Sequence, residues 1–397
     1  MNHKELVKLK KDIQSFLIHE VYPLEKKVLT EGYNKSLEMI EKKRDKVKSL
    51  GYWIPQISKK YGGMGLSLIE FSEISSILGS SPIGLYLFNC QAPDAGNMEI
   101  LIEYGTKYQK DKFLKPLLDG KIRSCFSMTE PNHAGSNPVF MSTTAIKKND
   151  SYIINGRKWY TSSAEGSSFA IVMAISNPNE KNKYLTASQI IVPTNSKGFK
   201  LIRKIPVMGE EGEGYFSHSE INYNDVLVPK ENLLGKEGSG FKIAQSRLGP
   251  GRIHHCMRWI GICERSFDMM CKRAASRELS PGKFLGEKQL IHKMIAERRV
   301  EINAAKLLVM DVGRKIEKEG SKESRFDISM IKFYCANILK RVIDDAIQIH
   351  GGLGMSDDII LSHFYRHERA ARIYDGADEV HITNVAKGIL SKYGLKI

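Results

Sequence analysis

No run of about 18 apolar residues occurs anywhere in this chain, so a membrane-spanning helix is not expected. The first residues, Met1-Asn2-His3-Lys4-Glu5-Leu6, are charged from the start and lack an apolar stretch of secretory type. A cytoplasmic protein is the expectation. Cysteine is sparse: Cys90, Cys125, Cys256, Cys263, Cys271 and Cys335 form no C-x-x-C pair, and reduced, buried thiols are expected. Although 60 basic side chains against 45 acidic ones give a net charge of +15, no block of five or six Lys/Arg stands apart. That argues against nucleic acid as a partner and for a small, phosphate-bearing anion.

Phosphate loops are also missing. Tyr61-Gly62-Gly63-Met64-Gly65 does not follow a strand in the G-x-G-x-x-G arrangement, and Gly235-Lys236-Glu237-Gly238-Ser239-Gly240 lacks a Lys-Ser/Thr ending. Gly351-Gly352-Leu353-Gly354 follows a helical pattern and reads as a helix stop. His363 and His367 stand four apart beside Glu368, but without a third convergent ligand no metal is expected.

The chain has 397 residues, 42% of them hydrophobic and 26% charged, which reads as globular with about two or three domains. From Leu6 to about Gly120 apolar residues recur at three and four, as in Leu68, Phe71, Ile74, Ile77 and Leu78, predicting a helical domain over 1–124. Over 125–236 the pattern shortens to β-rich runs such as Phe169–Ala174 and Gln189–Val192, predicting a β-domain. There Asn155-Gly156, between two apolar runs, predicts the turn of a β-hairpin. Over 237–397 the helical period returns through about 241–277, 287–319, 326–349 and 357–373, with a last helix from about 378, predicting a bundle.

Two loops carry chemistry. Phe126-Ser127-Met128-Thr129-Glu130-Pro131-Asn132-His133-Ala134-Gly135-Ser136 combines hydroxyls, small residues and backbone N–H groups that can line a cofactor pocket or serve as an interdomain loop. Trp159 and Thr161 follow with an aromatic plane beside a hydroxyl. In Tyr374-Asp375-Gly376-Ala377-Asp378-Glu379, Asp375 before a glycine can seat a general base, or only make a turn before a helix opened by acidic residues. His254-His255 can contact substrate or pack in the bundle.

Taken together, the Met128-Thr129-Glu130-Pro131…Gly135-Ser136 loop, Ile154-Asn155-Gly156-Arg157-Lys158-Trp159-Tyr160-Thr161, Gln348-Ile349-His350-Gly351-Gly352 and Tyr374-Asp375-Gly376 resemble the acyl-CoA dehydrogenase superfamily over essentially the whole chain. Arg247 to Arg258 and Asp375 to His381 look most like its member 10 and 11 branch. The resemblance implies an α+β fold with an N-terminal helical domain, a middle β-barrel-like domain and a C-terminal four-helix bundle. It implies a homotetramer, or at least a homodimer, holding FAD. Phe126, Met128, Thr129 and Ser136 are implied on the isoalloxazine side, with Trp159 and Thr161 against the ring and Ala377 beside the cofactor. Arg277, Gln348, Gly351 and Gly352 are implied to reach a neighbouring subunit's FAD.

Ser136, Arg252, Tyr374 and Gly376 are implied along the acyl-CoA site. Asp375 is implied as the base in an α,β-dehydrogenation to a trans-2-enoyl-CoA, with an electron-transferring flavoprotein as acceptor. Asp375 stands where most of the family has Glu, one carbon–carbon bond longer. Gly251 occupies the position from which some relatives supply the base. An oxygen-using flavoprotein of the nitroalkane oxidase or monooxygenase type and a non-catalytic assembly protein are the rival readings of the same scaffold.

Overall fold

The protein is described over residues 1–395 by a computed structural model. Contact density divides the chain into two compact units. One comprises Met1–Lys27, Gly65–Leu85 and Gly251–Ile397, the other Val28–Met64 and Tyr86–Pro250.

The second unit holds the sheet. Its strands are β1 (Ser124–Ser127), β2 (Thr144–Lys148), β3 (Ser151–Ser162), β4 (Phe169–Ile175), β5 (Ala187–Pro193), β6 (Phe199–Lys204), β7 (His218–Pro229) and β8 (Leu233–Leu234). They lie in the order β6-β7-β3-β2-β4-β5-β8, with β1 parallel to β4. The unbroken apolar run of β4, and that of residues 190–192 in β5, arise because both faces are covered. Phe169, Ile171 and Ile191 join Met98, Leu101 and Phe113 on one side, while Ala170, Val172, Ile190 and Val192 join Tyr152, Ile154 and Ile221 on the other.

The expected turn at Asn155-Gly156 is not one. β3 runs through it, and the hairpin closes instead at Asn149-Asp150, between the paired Lys148 and Ser151. Asn149 takes φ +52°, which a two-residue hairpin loop of the primed types requires. Asn155 and Gly156 instead make a bulge against β7, where Asn155 exchanges two hydrogen bonds with Asp225. Glycine is needed at 156 because a Cβ there would come within 2.4 Å of Thr143 Oγ1.

In the first unit, helix Leu68–Gly79 starts where Ser67 and Glu70 form a reciprocal cap. Helices Gln289–Glu319, Arg325–His350 and Asp378–Leu390 fall close to the predicted spans, as does Gly240–Ser276, within which the two units divide at Pro250. The span 357–373 is not one long helix. It breaks into Leu361–Glu368 and a 3₁₀ turn Arg369–Arg372, where the chain bends toward the acidic loop. A small hairpin, β9 (Glu278–Ser280) with β10 (Lys283–Phe284), also went unsignalled in the sequence. All six cysteines are free and five are buried. No helix among the described residues is long and apolar enough to cross a membrane.

Candidate active site

Asp375 adopts φ +54°, a left-handed conformation uncommon for a residue with a side chain, and Gly376 follows at φ +99°. The turn persists because its carbonyls are tied from three elements. The Asp375 carbonyl accepts from Arg252 Nε at 2.9 Å and from His381 Nε2 at 3.1 Å. Lys332 has no exposed surface and donates Nζ to the carbonyls of Ala371 at 2.7 Å and Gly376 at 3.2 Å. Burial disfavours its charge, so its pKa lies below the usual lysine value; the rings of Trp259 and Tyr374, each 5.5 Å away, flank the ammonium. His381 is pushed down to about 4, chiefly by burial. Its neutral ring donates from Nε2, and its partners assign Nδ1 as acceptor of the Ser329 hydroxyl at 3.1 Å. A Cβ at residue 376 would come within 2.7 Å of His381 Nε2, so only glycine lets the imidazole close on the turn.

The carboxylate faces the helix Gly240–Ser276. Asp375 Oδ2 is 3.3 Å from His255 Nε2 and 3.7 Å from where a Cβ on Gly251 would sit. Arg258 forks onto Glu368 at 2.6 and 2.9 Å and reaches the Tyr374 hydroxyl at 2.7 Å. Trp259 Nε1 donates to the same Glu368 at 3.0 Å. The adjacent histidines separate in role. His254 packs edge-on against Phe71 and is pushed down to about 4 by burial, while His255 turns to the acidic loop. His363 and His367 stack on each other, and His367 Nδ1 approaches Glu368 at 3.1 Å. Asp378 opens the last helix and binds Arg372 and Asn337 at 2.6 and 2.9 Å.

Arg277 and the Gln348–Gly352 turn lie near the ends of two helices of the same unit, which pack through Ala274, Ala346 and Ile349. Arg277, Gln348, Gly351 and Gly352 are exposed. Gly351, at φ +63°, stops the helix Arg325–His350, its N–H donating to Ile347 and Gln348.

In the sheet unit the loop after β1 meets β3. Thr129 Oγ1 donates to the Trp159 carbonyl at 2.8 Å and the Trp159 N–H returns to the Thr129 carbonyl at 3.0 Å. Thr161 is fully buried, its hydroxyl 3.0 Å from Ser127. Phe126, Met128, Thr129 and Trp159 are half-buried, and Ser136 is exposed. Beneath them, buried Lys158 donates to the Met128 carbonyl at 2.7 Å and to Glu130 at 2.9 Å, while Glu130 also accepts from the N–H groups of Ser142 and Thr143. Arg247 lies over Phe126, 4.1 Å from its ring centre.

The residues expected from sequence thus gather as two sets, one in each unit. The partners His255, Arg258, Glu368, Lys332 and His381 were not singled out for Asp375, nor Lys158 for Glu130. Only His255, one helical turn beyond Gly251, carried a spacing that points to the base.

Three descriptions of one family match consecutive stretches: "Acyl-CoA dehydrogenase, N-terminal domain" over residues 3–121, "middle domain" over 125–226 and "C-terminal domain" over 238–390. The protein named for acyl-CoA dehydrogenase FadE2 of Mycobacterium tuberculosis is 43% identical over 357 residues, covering 89% of this chain and 86% of that one. Acyl-CoA dehydrogenase family member 11 of Gallus gallus is 39% identical over 94% of this chain, which spans only 49% of that protein's length. Among solved structures, an acyl-CoA dehydrogenase chain of Mycobacterium abscessus superposes with a TM-score of 0.93 at 35% identity, covering 99% and 100% of the two chains. Butyryl-CoA dehydrogenase of Megasphaera elsdenii gives 0.83 at 28% identity, covering 98% and 99%.

Proposed function

The chain belongs to the acyl-CoA dehydrogenase family, and from that premise we propose that it oxidises an acyl-CoA thioester to the trans-2-enoyl-CoA, with Asp375 removing the α-proton. FAD is the cofactor. The loop after β1 suits it: the N–H groups of Ala134, Gly135 and Ser136 donate to no described group. At Gly135 a Cβ would sit 3.2 Å from Thr129 Cγ2, so a side chain there would crowd the loop itself. Phe126, Met128, Thr129, Ser136 and Trp159 would hold its ring end, while Thr161, expected there as well, has no exposed surface and turns its hydroxyl to Ser127 behind them. Arg277, Gln348, Gly351 and Gly352 would serve a neighbouring subunit's FAD, and Ala377 would lie beside the cofactor. Bound there, the flavin supplies the acceptor for the β-hydride.

The observation that carries this reading is the mounting of Asp375. An α-proton next to a thioester is weakly acidic, so its removal needs a carboxylate held at the right place and donors for the charge that develops on the carbonyl. The left-handed turn, clamped by Arg252, His381 and Lys332, fixes the base in direction. A displacement of about 1.5 Å, the length of the missing methylene, can cost about a hundredfold. Tyr374, Gly376, Arg252 and Ser136 would border the substrate.

The domains expected over 1–124, 125–236 and 237–397, the homotetramer, the electron-transferring flavoprotein and a role in fatty acid β-oxidation in the cytoplasm belong to the same reading. Anaerobic titration of the purified flavoprotein with acyl-CoAs of varied length and branching tests it. One of them is expected to bleach the flavin band, and Asp375→Asn is expected to keep its FAD and lose the bleaching. A flavin that no acyl-CoA bleaches, but that oxygen reoxidises rapidly after chemical reduction, would move the protein to the oxidase reading.

A further inference from the structure

We propose that His255 is a positioning residue for Asp375: a neutral imidazole that donates its Nε2–H to the carboxylate and holds the shorter base in a notch above Gly251. The inference rests on the reading of Asp375 as the base. Residues 251 and 255 are one turn apart and share a helix face. Asp375 Oδ2 enters between them, 3.3 Å from the imidazole and at ordinary van der Waals distance from the place of a Cβ on Gly251. A larger side chain at 251 would fill the notch. A carboxylate left only to its own torsions sweeps an arc; a donor on one oxygen stops it.

The tautomer is imposed from behind. Arg258 Nε lies 3.3 Å from His255 Nδ1, and a guanidinium has donors but no acceptor. Nδ1 must therefore present its lone pair, which puts the ring proton on Nε2, toward Asp375. Arg258 is held in this pose by its fork onto Glu368, so a run Glu368, Arg258, His255, Asp375 orients the base from the buried carboxylate outward. Trp259 stacks on the imidazole at 20° between planes, and Tyr374 packs beside it. Burial, with Arg258 and Lys332 nearby, lowers the His255 pKa against the pull of Asp375, in keeping with a neutral ring. Because Nε2 already carries a proton, His255 cannot take one from Asp375 there. Its role is to direct the base, not to replace it.

The other charged groups around Asp375 come from different elements. Arg252 and His381 bond its carbonyl, Lys332 bonds that of Gly376, Asp378 is paired with Arg372, and the Tyr374 hydroxyl meets Arg258. All remain when only residue 255 is changed. Losing a donor to a carboxylate makes it hold its proton to higher pH, so the variants are read by pH profile.

The experiment compares wild type, His255→Gln and His255→Leu, each loaded with FAD, by stopped-flow flavin reduction with the acyl-CoA that bleaches wild type. His255→Leu is expected to slow reduction about 10- to 100-fold with KM little changed, and to move the acid limb of the profile up by roughly half to one pH unit. His255→Gln, which restores an N–H donor, is expected to recover much of the rate and to return the limb toward the wild-type pH. In parallel, proteins labelled with ¹⁵N-histidine are compared by NMR, the signals missing from His255→Gln identifying the ring. A neutral ring with its proton on Nε2 at pH 7 is expected. Superimposable acid limbs in all three proteins, a proton on Nδ1 alone, or an imidazolium at pH 7 would overturn the proposal. If no acyl-CoA reduces wild type, the reading of function and the catalytic half of this inference fall together, and the NMR result still decides whether His255 donates to Asp375.

Discussion

Glu368 shows what a single buried charge does here. Burial raises its pKa, but the attraction of Arg258 and the bonds from Arg258 and His367 outweigh that and hold it well below the usual glutamate range. A carboxyl depressed in the folded state contributes stability that is fully present above the unfolded value of about 4.3 and is lost as pH falls toward the folded one. Denaturation midpoints measured from pH 7 down to pH 3 should fall through this window. Glu368→Gln should flatten that decline and lower stability at pH 7 by about 3 kcal/mol, because the Arg258 guanidinium is left uncompensated. A slope unchanged by the substitution would show that other carboxylates govern acid unfolding. None of this was readable in sequence, where Glu368 stood beside His367 as a weak metal pattern.

The loop after β1 is only as rigid as the strand beneath it. Lys158, inside β3, is pushed down to about 8 by burial, with Glu130 pulling the other way, and Glu130 itself is held below its usual value because Lys158 and the bonds from Thr143 and Ser142 overcome burial. Breaking such a pair from one side is costly, about 3–5 kcal/mol, since the remaining ion stays buried. Lys158→Met should therefore lower the thermal midpoint and the FAD bound per chain, read by absorbance after gel filtration. Full flavin occupancy with a lowered midpoint would confine the pair to a structural role. The β-rich runs on either side of Asn155-Gly156 were legible, but that they form one strand, with the turn at Asn149-Asp150, was not. Asn155-Gly156 and Asn149-Asp150 are both turn formers by composition, and β7, which accepts the first as a bulge, is more than 60 residues downstream. Similarly, the apolar period through 357–373 continues across Glu368, where the α-helix gives way to a 3₁₀ turn and the side chain is tied to Arg258 and Trp259.

At the scale of the molecule, helix Gln289–Glu319 leaves Val300 and Leu307 67% and 71% exposed two turns apart on one face. Scattered exposed residues need no explanation, but two in register suit burial against another copy. Sedimentation of wild type should give a homotetramer, and a Val300→Glu/Leu307→Glu double variant a smaller species with FAD weakened, since Arg277 and Gln348 are assigned to a neighbour's cofactor. Monomeric wild type at all concentrations would remove both assignments. The chain covers about half of its chicken relative, so activities of the remainder of such a protein are a separate matter.

Periodicity was enough to separate helical from β-rich stretches, because helix and strand periods are local properties written along the sequence, and four motifs in order carried the resemblance to the acyl-CoA dehydrogenase family. The tertiary structure alone decided what surrounds Asp375. Its carbonyl is held by Arg252, 123 residues earlier, its carboxylate lies 3.3 Å from His255, Lys332 bonds the Gly376 carbonyl, and Glu368 holds the Arg258 that meets the Tyr374 hydroxyl. Such contacts depend on how helices rotate and pack against each other, which no local pattern records.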